Sequence, residues 1–158
     1  TSSITVTATP SASSARLSAI LVDLGPETIR NFGGTGEGIT TLTTKSCWGD
    51  SSAGDSACYL DTKADTTNVS ALAISRGWAD LGHYASLDSQ QPLTPGKAYT
   101  MTFSLASTDH VVPAGHRLAL IIAGTDHEEI TGGTGAPTVV IDLTGTTVKV
   151  PLVGTLPA

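Results

Sequence analysis

The chain has 158 residues, a mass of 16.0 kDa and a formal net charge of −6, and only 14% of its residues are charged. This length indicates one domain with a sizeable core. The acidic balance argues against nucleic acid as a partner, because cations are too few to replace the counterions of a phosphate backbone. It also disfavours an anionic membrane surface, and no apolar run is long enough for a spanning helix. We therefore expect a soluble protein.

The first half of the chain predicts short strands separated by turns. Ile4, Val6 and Ala8 alternate with hydroxyl residues, which is the period of a half-buried strand. Strands are predicted over 1–9, 15–24, 39–44 and 69–75, with a further extended segment from Gly77 towards Tyr84. The glycine-rich residues 27–38 predict a surface loop.

The second half continues the same pattern. Prolines and a glycine exclude regular structure from residues 86–97, whereas 98–105 alternates and 117–123 is continuously apolar after Arg117. We expect these last two segments to be neighbouring strands of one core. Residues 138–143 and 147–153 flank Thr144-Gly145-Thr146 and predict a hairpin. Eight to ten short strands without helical periodicity predict an all-β fold, a sandwich or a jelly roll.

Cys47 and Cys58 bracket a short loop of small polar residues. One such pair predicts a disulfide in an oxidising compartment, where it would stabilise the fold by about 3 kcal/mol in the chain-entropy model. Two unrelated buried thiols are the alternative. The four histidines are not spaced to complete a zinc site with these cysteines.

No motif in the chain predicts a catalytic nucleophile. Gly49-Asp50-Ser51-Ser52 resembles the nucleophile segment of trypsin-like proteases, but the residue after Ser51 is not the glycine that an oxyanion hole requires. A Gly-x-Ser-x-Gly elbow does not occur anywhere in the sequence. We therefore predict no catalytic residue and no cofactor in this chain.

An acidic segment follows the apolar strand and offers weak candidates for a cation site. Asp126, Glu128 and Glu129 surround His127, and carboxylate oxygens are ligands for hard cations. A solvated acidic loop is the favoured alternative, so no metal is predicted.

The Pro113-Ala114-Gly115 turn is flanked by two histidines, His110 and His116. Histidines at such a turn more often cap or pack than catalyse. Arg117 begins an apolar strand and is expected to contact a carboxylate, with Asp109 and Asp126 as the expected partners.

Five aromatic residues could form a platform on which a sugar ring stacks. They are Trp48, Tyr59, Trp78, Tyr84 and Tyr99. Trp78 and Tyr99 lie in strand patterns, where packing in the core is the favoured alternative.

Four segments together are similar to one known module. They are residues 15–23, Ser75-Arg76-Gly77-Trp78, residues 92–99 with Pro-Gly-x-x-Tyr, and residues 112–118 with Pro-Ala-Gly-His-Arg-Leu. They resemble the C-terminal, non-catalytic β-sandwich of the X-Pro dipeptidyl-peptidase and cocaine-esterase family of serine hydrolases. The resemblance implies a jelly-roll β-sandwich of galactose-binding-like type, and it makes Pro113, Gly115, His116 and Arg117 structural rather than catalytic.

The resemblance also implies a partner and a location. In the family this module packs against an α/β-hydrolase domain that holds a Ser-Asp-His triad, and none of the triad residues maps onto this chain. We expect residues 1–158 to form a single sandwich domain that lacks the family's first strand and its upstream hydrolase domain. The cysteine loop is similar to secreted actinobacterial members, which implies an extracellular protein. The alternatives are a carbohydrate or cell-wall binding module and a free-standing structural protein that self-associates.

Overall fold

The computed structural model describes residues 1–33, 37–127, 129–130 and 135–154, and its regular structure is almost entirely β-strand. The eight strands are β1 (Ser3–Pro10), β2 (Arg16–Arg30), β3 (Ile39–Cys47), β4 (Cys58–Ala64), β5 (Thr66–Asp80), β6 (Tyr99–Ser104), β7 (Arg117–Ala123) and β8 (Val139–Lys149). A single turn of 3-10 helix, Leu81–His83, follows β5. In the described ranges no helix is long and apolar enough to cross a bilayer.

The strands form two three-stranded sheets, in the orders β6-β1-β8 and β5-β2-β7, and one two-stranded sheet, β3-β4. The chain divides into two compact units. The first comprises Thr1–Leu24 and Leu72–Ala158, and the second comprises Gly25–Ala71. The long strands β2 and β5 contribute residues to both units.

The core of the first unit lies between the two three-stranded sheets. Because successive side chains of a strand point to opposite faces, every second residue of β1 and β6 is buried, whereas residues 17–19 and 21–23 of β2 are buried on both faces. The buried side chains that make this core are Ile4, Val6 and Ala8 of β1, Leu17, Ala19 and Leu21 of β2, and Tyr99, Met101 and Phe103 of β6. Two facing sheets around one apolar layer confirm the predicted all-β sandwich, whereas its galactose-binding-like type remains a prediction.

The second unit contains the β3-β4 hairpin. Its strands pair antiparallel from Ile39 opposite Ala64 to Cys47 opposite Cys58, and the two cysteines form the predicted disulfide. Asp65 closes the other end of the unit, where its carbonyl accepts a hydrogen bond from the Asn31 amide at 2.9 Å.

Two predictions for the region between β2 and β5 were wrong. Residues 27–30 were expected in a loop but continue β2, and β4 was not expected at all. Residues 27–30 alternate between half-buried and exposed, but Glu27 takes one of the half-buried positions in place of an apolar residue. In β4 most side chains are exposed and burial does not alternate, so no period of two marks the strand.

The segments over 98–105 and 117–123 are strands but not neighbours, which corrects the expected arrangement. β6 pairs with β1, whereas β7 pairs with β2 in the facing sheet. The irregular segment between β6 and β7 passes from one sheet to the other. An apolar face is buried in either arrangement, so the alternation alone could not distinguish them.

The hairpin expected around Thr144–Thr146 is instead one strand, β8, with a shift of register against β1 between Thr5 and Thr7. Asp142 holds the irregular residues, because its carboxylate accepts the Thr144 amide at 2.9 Å. A Cβ at Gly145 would lie 3.0 Å from the Thr7 hydroxyl oxygen, so the close approach favours glycine at this bulge.

Candidate functional site

Among the described residues of the first unit, the most buried ionisable cluster consists of Asp23, His110 and His116. The Asp23 side chain is 0% exposed near the end of the apolar run of β2. His110 Nε2 donates to Asp23 Oδ2 at 2.8 Å, and His116 Nδ1 donates to Asp23 Oδ1 at 2.9 Å. Each carboxylate oxygen therefore binds a different imidazole, and the pairing satisfies a group that would otherwise be costly to bury.

The two histidines decide the protonation state of this carboxyl group. Burial is the largest single influence and raises the pKa of Asp23, but the hydrogen bonds and charges of His110 and His116 together hold that pKa below its ordinary value. Asp23 is therefore ionised at neutral pH and acts as the acceptor for both rings.

The geometry of the cluster fixes the loop that precedes β7. His110 and His116 lie on either side of the Pro113-Ala114-Gly115 turn, in which the His116 amide donates to the Pro113 carbonyl at 3.1 Å. Gly115 has a φ of 86°, a region that glycine favours. In the part of the chain that the structure describes, neither imidazole is hydrogen-bonded to a serine, threonine or cysteine side chain. The cluster consequently has the form of a structural clamp on the loop.

The sequence offered Asp126 as a candidate cation ligand, but in the structure its carboxylate accepts hydrogen bonds from two other side chains. Arg76 Nη1 donates to both of its carboxylate oxygens, at 2.9 and 2.8 Å, and Trp78 Nε1 donates to Oδ2 at 3.2 Å. The expected pairing of Asp126 with Arg117 was therefore wrong. The Arg117 side chain is exposed, and it forms no ion pair with any described residue. Arg76 lies on β5. The spacing of residues in the sequence does not show that β5 lies close to the loop that contains Asp126.

The remaining acidic candidates do not join this contact. Glu129 is exposed, and its backbone amide donates to the Asp126 carbonyl at 3.0 Å in a turn. Glu128 lies outside the described residues. Because a guanidinium already occupies both oxygens of Asp126, a cation bound there would have to displace Arg76.

The five aromatic residues are divided between the two units. In the first unit Tyr99 is buried, its ring centroid is 4.7 Å from that of Tyr84, and Trp78 is 40% exposed. In the second unit Trp48 is 74% exposed, and the Tyr59 hydroxyl donates to Asp55 at 2.7 Å, which lowers the pKa of Asp55. The core packing expected for Tyr99 agrees with its burial, whereas Trp78 is only partly covered.

An apolar cleft lies where β7 and β8 occupy the outer positions of the two facing sheets. Side chains of both strands and of the segment after β8 line it, and its volume is about 310 Å³. The lining includes Leu118 and Leu120 of β7, Val148 of β8, and Val150 and Leu152 beyond it. Leu152 is 46% exposed. The core of the first unit is thus open to solvent along this edge, which we call the edge cleft.

A second small cavity extends the edge cleft towards the Asp23 clamp. It shares Leu21, Leu118, Val150 and Leu152 with the cleft, and His110 contributes to its wall. No pattern in the sequence predicted this arrangement. The one available signal was an aspartate inside an otherwise apolar strand, because a buried carboxylate requires partners elsewhere in the chain.

Comparison with known proteins gives a family match over almost the whole chain. The model described as "X-Pro dipeptidyl-peptidase C-terminal non-catalytic domain" matches residues 1–150. A protein of Streptomyces avermitilis is 61% identical over 153 residues, which is 97% of this chain and 23% of that protein. One from Rhodopirellula baltica is 34% identical over 51% of this chain and 13% of its own length, and one from Bacillus cereus is 31% identical over 35% and 10%.

These three relatives all bear the name Xaa-Pro dipeptidyl-peptidase, as a provisional assignment. This chain spans 23% of the length of the first of them. The similarity therefore concerns one part of a much longer relative.

Proposed function

We propose, from the premise that this chain belongs to the family of X-Pro dipeptidyl-peptidase C-terminal non-catalytic domains, that it braces the catalytic domain of a longer peptidase and shapes the entrance for substrate. The observation that carries the proposal is the family match together with the relative from Streptomyces avermitilis, most of whose length lies outside the matched part. The chemistry of the longer protein would be acyl transfer to water through a serine nucleophile and a histidine base.

The edge cleft supports this proposal as the contact surface. Leucine and valine side chains of β7 and β8 leave it partly uncovered, although burying such side chains stabilises by roughly 1.5–3 kcal/mol each. The occupant we assign is the catalytic domain of the same polypeptide, because the relatives have a long additional chain available to cover it. The Asp23 clamp would keep the adjacent loop in the shape that this contact requires.

An extracellular location is part of the proposal. It is supported by the Cys47–Cys58 disulfide, since such bonds persist in oxidising compartments. A carbohydrate-binding module and a free-standing, self-associating protein remain alternative predictions.

The contact can be tested in a chimera. The matched region of the Streptomyces avermitilis protein would be replaced by this chain, and Leu152→Asp would be introduced into the edge cleft. We expect the variant to lower the unfolding temperature of the chimera and its hydrolysis of an X-Pro chromogenic substrate, because a carboxylate would be buried at the interface without a partner.

Leu143→Asp is the matched control, because Leu143 is a β8 leucine that is 79% exposed and does not line the cleft. Both substitutions are also measured in the isolated chain, so that the intrinsic cost of replacing the half-buried Leu152 can be subtracted from its effect in the chimera, whereas Leu143→Asp should change stability by no more than about 0.5 kcal/mol. Equal effects of the two substitutions in the chimera would refute the edge cleft as the contact surface.

A further inference from the structure

A cavity of the first unit with both polar and apolar lining lies near the start of β2 and the end of β5. Its volume is about 450 Å³, and Arg16, Asp80, Gln90 and Thr125 contribute to its lining. A second cavity of about 250 Å³ shares Arg16 and Asp80 with the first and is bounded by Trp78. We call the two together the Arg16–Asp80 cavity. Its size is in the range of small-molecule sites, roughly 300–1,000 Å³.

The carboxylate in this cavity is held in one orientation. Asp80 Oδ1 accepts the backbone amide of Gly82 at 2.8 Å, and Oδ2 accepts Gln90 Nε2 at 2.9 Å. An ionised carboxylate has about four acceptor positions, so these two bonds leave capacity for hydroxyl donors of a ligand. Gln90 also has an amide oxygen that can accept.

The aromatic wall is fixed as well. Trp78 Nε1 donates to Asp126 at 3.2 Å, and Asp126 is in turn held by Arg76. The polar edge of the indole is therefore occupied within the protein, while the side chain remains 40% exposed. A rigid aromatic ring beside anchored polar groups is an arrangement that loses little conformational entropy when a ligand binds.

The charges of the cavity select the class of ligand. Among the lining residues that the structure describes, Arg16 and Asp80 contribute one charge of each sign, so this part of the wall has no excess of cations for a phosphate group. Donors and acceptors are mixed, as hydroxyl groups require because each hydroxyl both donates and accepts. We propose that the Arg16–Asp80 cavity binds a neutral saccharide unit, whose hydroxyls contact Arg16, Asp80 and Gln90 and whose apolar face lies against Trp78.

Such a site would attach the protein to a glycan, which goes beyond a bracing role. It does not depend on the edge cleft, since the two sets of lining residues are different. Failure of the saccharide test would therefore leave the proposed function unaffected, and the reverse also holds.

The experiment uses the fluorescence of Trp78 in a Trp48→Phe background, because these are the only two tryptophans of the chain. Cellobiose, chitobiose and galactose are titrated separately to about 20 mM, which detects dissociation constants in the millimolar range. We expect a saturable change in emission with at least one of them. Gln90→Ala and Arg16→Ala, on separate segments, should each weaken that binding by about tenfold, equal to about 1.4 kcal/mol.

Gln91→Ala is the matched control, because Gln91 is exposed next to Gln90 and does not line the cavity. It should leave the affinity unchanged. The proposal is overturned if no saccharide saturates the signal, or if Gln91→Ala weakens binding as much as Gln90→Ala does. Saturation by an Ala-Pro dipeptide without any response to the saccharides would also overturn it, in favour of a zwitterionic ligand.

Discussion

Removing the carboxylate of Asp23, which holds the loop that precedes β7, should strongly destabilise the first unit. Asp23→Ala deletes two hydrogen bonds, of 2.8 and 2.9 Å, from a side chain that is 0% exposed. It also leaves the imidazoles of His110 and His116 without their acceptor. Breaking a buried pair in this way costs about 3–5 kcal/mol. For a chain of this length that corresponds to a decrease of about 6–20 °C in Tm.

Urea denaturation followed by circular dichroism measures this loss directly. Asp109→Ala is the matched control, because Asp109 is exposed in the same loop and should change stability by less than about 0.5 kcal/mol. Amide hydrogen exchange across residues 107–116 should accelerate in the Asp23 variant only. If Asp23→Ala and Asp109→Ala unfold at the same urea concentration, the clamp does not stabilise the fold.

The same carboxyl group predicts a dependence on pH. The pKa of Asp23 is lowered in the folded state, so its contribution is complete above the unfolded value of about 3.9 and is lost as the pH falls through the folded value. The stability difference between the native protein and Asp23→Asn should accordingly shrink in urea titrations below about pH 4. A difference that stays constant down to pH 2 would contradict the lowered pKa.

Three further predictions concern stability, each measured by urea denaturation. Arg76→Ala should lower the free energy of unfolding by about 1.5–3 kcal/mol, because it removes a charged partner of a buried carboxylate. Arg117→Ala is the control and should be neutral, so equal costs would contradict the assigned pairing. Gly77→Ala should lower the free energy of unfolding by about 1–3 kcal/mol, because its Cβ would collide with the Ser104 carbonyl. In the control Gly54→Ala the added Cβ meets nothing within 4 Å. A neutral Gly77→Ala would show that β5 can move away from this carbonyl. Reducing the disulfide should destabilise the second unit by about 3 kcal/mol, and an unchanged midpoint in reductant would refute this.

The sandwich core could be predicted because it depends on a local signal. Ile4, Val6 and Ala8 alternate with threonines, and every one of them is buried in β1. The same reasoning failed for residues 27–30, where Glu27 takes a half-buried position, and for β4, whose burial does not alternate. The prediction that β6 and β7 are neighbours was also wrong. The apolar side chains of β7 could be buried in either sheet, so the sequence pattern does not say which strand pairs with it.

The candidate site was harder to predict than the fold. Asp23 is separated from its histidine partners by 87 and 93 residues along the chain, and no spacing rule relates such distant positions. The sequence indicated the turn and both histidines but not the carboxylate between them. Similarly, Asp126 was expected to pair with the nearby Arg117, yet its partner is 50 residues away on β5. Ion pairs predicted between residues close in sequence are wrong when the topology places a strand that is distant in sequence next to the same carboxylate.

We propose that this chain supports a catalytic domain and does not itself catalyse hydrolysis. Turnover of an X-Pro chromogenic dipeptide by the Streptomyces avermitilis relative tests it most directly, in three forms: intact, with its matched region deleted, and with that region replaced by this chain. We predict that deletion lowers turnover and thermal stability together and that the replacement restores both. The isolated chain, assayed alongside these three forms, should show no turnover. Full activity and stability after deletion, or hydrolysis by the isolated chain that a serine-directed inhibitor abolishes, would contradict the claim.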